Sequence, residues 1–208
     1  MAYYLYLISR HHKVLPMFIL KLLVESLVLS HLNYALPVWG PALAHDLLAR
    51  LVKMHNRVIR VIGGLKKFDH VSSFRRQLNW LSVDSLIQHH CNALMYRYYN
   101  SEHNNCILLN PPIQFGWQSI YSTRTCPYFA AIHCFKLSFS QKFFRSKGVY
   151  WWNTLLHELL DKSPSYSQFK RHLYGHLLSL HHDWLNLFSS VYFLSICIFF
   201  VCVFVCLV

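Results

Sequence analysis

"LARLVKMHNRVIRVIGGLKK", residues 48–67, carries six of the chain's twenty lysines and arginines and no acid. Its first four cations, Arg50, Lys53, Arg57 and Arg60, follow one another at steps of three, four and three. At about 100° per residue, with Arg50 at zero, they span about 280° to 360° of a helical wheel. Leu47, Leu48, Leu51, Val58, Ile59 and Ile62 span about 60° to 180°. Two opposed arcs predict an amphipathic helix from about Pro41 to Ile62, closed by Gly63-Gly64. Three uses suit such a stripe: a solvated helix face, a grip on nucleic acid, or contact with a membrane surface.

The charge continues past the glycines. Lys66, Lys67, Arg75 and Arg76 bring residues 50–76 to eight cations against Asp69 alone. A polyphosphate backbone binds such a surface by releasing its condensed counterions. Phe68, Phe74 and Trp80 are interleaved with these cations and offer stacking on unpaired bases. The whole chain of 208 residues has a formal charge of +12, so an anionic partner is expected: RNA, DNA or lipid head groups. Fifteen histidines add positive charge below about pH 6.5. Hydrophobic residues make up 54% and charged ones only 13%, a balance poorly suited to a free soluble monomer.

Working outward, "PMFILKLLVESLVLSHLNYAL" predicts a helix over Pro16–Leu36 with the proline in its first turn. Apolar residues surround most of it, so it expects neighbours on nearly every side. "PVWGP" turns the chain into the basic helix. Downstream, Ser72 or Ser73 is positioned to cap a short helix through Leu78, and another helix starts near Ser82-Val83-Asp84. That makes four helices by Asn100. Asn104-Asn105 and Pro111-Pro112 mark residues 101–112 as a linker. Residues 113–149 mix Tyr, Phe, Thr and Ser and suit short strands or irregular loops. "YWWNTLLHELLD" and "SYSQFKRHLYGHLLSLHHDWL" predict two more helices. No acid or base follows Asp183, and residues 187–208 match the roughly 20 needed to cross a bilayer.

Catalytic chemistry is poorly supplied. The eight acids never stand adjacent, so no local carboxylate cluster is available to hold the two magnesium ions of phosphoryl transfer. P-loop, GxSxG and GxGxxG motifs are absent. His172 and His176 have metal-ligand spacing, but no nearby cysteine completes a set and no HExxH occurs. The expectation is a protein with no metal, no cofactor and no catalytic residue of its own. Seven cysteines without a CxxC pair read as free thiols of a reducing, intracellular compartment. "MAYYLYLISRHHK" is too short and too aromatic for a signal peptide.

The order of landmarks resembles the segment after the palm in reverse transcriptases of non-LTR (LINE-like) retrotransposons. Leu15, Pro16, Leu32, Tyr34 and Trp39 match that family's Leu-Pro opening and Leu-x-Tyr and Trp block. Asn56, Arg60 and Gly63 match its Asn-x-x-x-Arg helix and closing glycine. Arg75, Leu78, Trp80, Leu81 and Val83 match the next turn. Ser138, Phe139, Trp152, Asn153 and Leu155 resemble its Ser-Phe and Trp-Asn-x-Leu segments, and Ser165, Phe169 and Lys170 its closing helix. Ser30 and His55 depart from the family's common Pro and Gln. The paired aspartates of the palm are missing, since the chain contains no Asp-Asp.

The resemblance implies a mainly α fold. A thumb-like helical bundle over 1–100 would be followed by the linker and a mixed, helix-rich post-thumb region over 113–185; the hydrophobic helix expected over 186–208 matches nothing in that family. The resemblance also implies a fragment that is inactive alone, needs a palm domain for polymerase chemistry, and contacts RNA or DNA backbone without sequence preference. The contacts would come from Arg50, Lys53, Arg57, Arg60, Lys66, Lys67, Arg75 and Arg76. The rival reading is a tail-anchored membrane protein, held through residues 187–208, whose basic helical head has no catalytic role. A third is a chain that never folds stably because surfaces meant for a palm stay exposed.

Overall fold

The computed structural model describes residues 2–100, 113–116, 128–131, 143–155 and 157–180. The described residues are mostly helical. Ten helices run in order: α1 (Ala2–His11), α2 (Met17–Val24), α3 (Ser30–Asn33), α4 (Leu36–Trp39), α5 (His45–Gly63), α6 (Val71–Gln77), α7 (Val83–Tyr99), α8 (Phe144–Asn153), α9 (His157–Asp161) and α10 (166–180). The expected linker and the hydrophobic tail lie outside the described residues. Among the described residues, no helix is long and apolar enough to cross a membrane.

The first core joins α1, α2, α5 and α6. Leu5 and Ile8 from α1 meet Leu20, Val24 and Val28, and all pack on Val58, Ile59 and Ile62 of α5. The opening segment is therefore a structural helix, a role its composition had not indicated. The helix expected over Pro16–Leu36 is interrupted. Pro16 caps it from an extended conformation, and a π-helical turn, Glu25–Leu29, separates α2 from α3. Leu20, Val24, Val28, Leu32 and Leu36 are all buried at steps of four. A regular α-helix rotates such a row by about 40° per step, and the wider i→i+5 turn takes up part of that drift. Ala35 then turns the chain at φ 48, and Trp39 Nε1 donates to the Tyr34 carbonyl at 2.7 Å across the corner.

Helix α5 starts four residues later than the sequence indicated, and it ends where the double glycine indicated. Gly64 takes φ +59 and its N–H bonds the Arg60 carbonyl. Gly63 has the Phe74 ring against it: a Cβ there would stand 2.8 Å from a ring carbon. Neither Ser72 nor Ser73 caps α6; His70 is its N-cap residue and supplies no side-chain bond. Ser82 does cap α7, accepting from Ser85 N–H at 3.3 Å.

Helix α7 belongs to two clusters. Val83, Ile87 and Cys91 pack on Leu36, while Met95, Tyr96 and Tyr98 enter the second core with Trp152, Phe169, Leu173 and Leu177. Tyr96 stacks on Phe169 with ring centres 4.2 Å apart. The helix expected over residues 150–161 is two, α8 and α9, because the chain turns at Thr154-Leu155. Between them Asn153 is diverted to a tertiary task. Its side-chain amide accepts from Ala130 N–H and donates to the Ala130 carbonyl, both at 2.9 Å. Ala130 itself pairs with Phe115 in the one bridge seen among the described residues. Of the region for which the sequence allowed short strands or irregular loops, the described residues 113–116 and 128–131 meet in this bridge and 144–149 belong to α8.

Candidate nucleic-acid interface

Arg50, Lys53 and Arg57 are exposed along one side of α5, and Val58, Ile59 and Ile62 are buried on the other. The wheel read from the sequence is thus the arrangement of the helix, with one exception. Leu47 is 48% exposed, because nothing covers the first turn at that angle. Leu48 and Leu51 are half-buried against Leu36 and its neighbours. Arg60, at the edge of the stripe, is half-buried, and its Nε is enclosed without a hydrogen-bond partner.

The remaining cations fall into two groups. Lys66 and Lys67 are exposed just beyond the end of α5, and Arg76 is exposed on α6. The Lys66 N–H donates to Asp69 at 2.8 Å, which folds the turn, and Lys67 Nζ stands 5.6 Å from the Phe68 ring centre. Arg75 is half-buried, and its pKa is lowered first by burial and then by Arg76. Its charge acts on His55, on the apolar arc of α5, so Arg75 stands apart from the outer stripe. Among the described residues none of the eight cations is ion-paired. A stripe with its charges uncompensated keeps its full attraction for an external anion.

The interleaved aromatics do not share the cations' exposure. Phe68 is 88% exposed, but Trp80 is buried and Phe74 lies partly buried under Gly63. Stacking on bases is therefore left to Phe68 alone of the three.

Sequence reasoning missed a second feature, a cleft of about 360 Å³ where the π-turn, α5, α7 and α10 converge. Glu25, His55, Trp80, His89, His90 and Lys170 line it. The His55 ring lies 6.0 Å from that of Trp80, and burial, helped by the Arg75 charge, drops its pKa to about 4. Burial, with His89 and Lys170 nearby, likewise lowers His90 to about 4. His89 Nε2 donates to the Lys170 carbonyl at 3.2 Å, and Nδ1 is enclosed without a partner. Helical periodicity puts His55 inside the apolar arc, so its burial was legible. The convergence of positions 25, 55, 89 and 170 was not, since no spacing links them.

His172 is bonded to Ser163, with Nδ1 2.8 Å from Oγ. No group of three metal-ligating side chains forms among the described residues. Comparisons with family profiles, with curated proteins and with solved structures return no match to the chain.

Proposed function

We propose that the chain is a non-specific binder of RNA or DNA backbone, a fragment resembling the post-palm, thumb region of a non-LTR retrotransposon reverse transcriptase. It lacks the catalytic aspartates and does no chemistry alone. The observation that carries this reading is the division of α5. Uncompensated cations stand on one side and a buried aliphatic face fixes the helix on the other, so the charges sit on a rigid rod. Of the residues behind the resemblance, Leu32, Leu78, Trp80, Leu81, Val83, Trp152, Leu155 and Phe169 are buried, whereas Tyr34 is 80% exposed.

A grip of this kind is electrostatic. Arg50, Lys53, Arg57, Arg60, Lys66, Lys67 and Arg76 would meet phosphates, with Arg75 set back at the junction of α5 and α6. If about four to six contacts form, log K falls with log salt at a slope of about −4 to −5. Fluorescence anisotropy of a labelled duplex at rising salt measures it. Arg57→Ala with Arg60→Ala should reduce the slope by about 2. A salt-independent affinity, or one indifferent to that double substitution, removes the reading.

A further inference from the structure

The cleft beside α5 takes no part in a backbone grip, and its lining is rich in polar groups. His55 is only 5% exposed, neutral at pH 7, and has no hydrogen-bond partner among the described residues. A neutral imidazole carries one donor and one acceptor, and a ligand in the cleft can engage both. His90 contributes a second neutral imidazole to the same lining. Apolar wall comes from Leu81 and the Trp80 ring.

Two opposite charges complete the lining. Glu25 accepts from Trp80 Nε1 through Oε1 at 3.1 Å and pairs through the same oxygen with Lys21 Nζ at 3.9 Å, so Oε2 is the oxygen left to a ligand. Lys170 lines it from α10, and its ammonium group, 5.6 Å from the Tyr166 ring centre, acts electrostatically on His90. Apolar walls with neutral donor–acceptor groups suit a flat polar heterocycle. A carboxylate selects one that carries an amine, and an ammonium group selects one that carries a phosphate. The volume of about 360 Å³ suits one such unit rather than a duplex.

We infer that this cleft binds a single unpaired nucleotide whose base bears an exocyclic amine, with Glu25 receiving the amine and Lys170 the phosphate. Choosing a nucleotide among phosphorylated heterocycles rests on the nucleic-acid reading of α5. The nucleotide is either free or the end of a bound strand.

CMP and UMP differ at position 4, an amine against a carbonyl, and at N3, an acceptor against an N–H donor. Titrated calorimetrically into the full chain, CMP should bind at least about tenfold more tightly, the scale of one charge-assisted hydrogen bond. Glu25→Gln keeps an oxygen for Trp80 and turns an amide NH₂ to the ligand, so the preference should vanish or reverse. Lys170→Gln should weaken CMP and leave cytidine unchanged. Equal affinities for CMP and UMP, or a ratio that survives Glu25→Gln in a chain with an unaltered melt, overturns the assignment. A duplex whose 3′ overhang ends in C or T identifies the source. Discrimination there means a strand end, and discrimination confined to mononucleotides means a free ligand. Arg57→Ala with Arg60→Ala separates the two claims: duplex affinity should drop and CMP binding persist. A chain that grips duplex but ignores CMP loses the cleft and keeps the stripe.

Discussion

Helices α5 and α7 are of similar length, 19 and 17 residues, and treat their surfaces in opposite ways. Helix α5 buries four residues on one side and leaves its cations in solvent, whereas α7 buries nine and has almost no face to spare. The first is anchored by half its circumference and leaves the other half in solvent. The second is shared by two hydrophobic clusters, so it joins the N-terminal bundle to the C-terminal core. It even encloses Asn92 with both amide atoms unpartnered, an unfavourable burial that the surrounding packing must outweigh. One-sided burial gives α5 the free face that the proposed backbone grip would use, and burial nearly all round makes α7 a scaffold.

That contrast breaks first, if it is wrong, under truncation of α7. Met95 is fully buried, so Met95→Ala should cost about 2–5 kcal/mol and lower the melting temperature by roughly 5–20 °C. A shift under two degrees would mean that α7 does not hold the second core together. Acid should act next. His55 and His90 stay neutral in the folded chain down to about pH 4, while the unfolded chain takes up protons below about 6.5. Their effect is nil above about pH 6.5, grows as destabilisation as pH falls, and levels off below about 4. Melts across that window should show it, and His55→Gln should flatten the slope. A smaller loss, about 1 kcal/mol, is expected from Ser82→Ala, which removes the α7 cap. Smallest of all, Arg57→Ala should change stability by less than about 0.5 kcal/mol, because its side chain is exposed and unpaired. A large loss there would make the stripe structural and erase the distinction between the helices.

The same helices explain how much was legible. Periodicity located α5 because its burial is one-sided, and Gly64 marked its end because only a left-handed residue closes it so. Ser82 was found from its residue type and place. The π-turn was not, since a helix that is apolar nearly all round gives no sign of where its turn must widen. Phe74 and Trp80 counted as accessible by sequence proximity to the cations. Tertiary packing turned them inward, one beneath Gly63 and the other against Glu25. The cleft had no local signal at all, since each of its lining residues is unremarkable within its own segment.

Asn153 has a consequence for how this molecule behaves among its own copies. In an antiparallel bridge of this kind the Ala130 amide and carbonyl point away from Phe115. Left bare, they would form a short adhesive rim on which another chain's extended segment could register. The carboxamide of Asn153 occupies both at once, acting as a one-residue counterfeit strand. Replacing it with aspartate would reopen the carbonyl, and self-association should then rise before any loss of helicity.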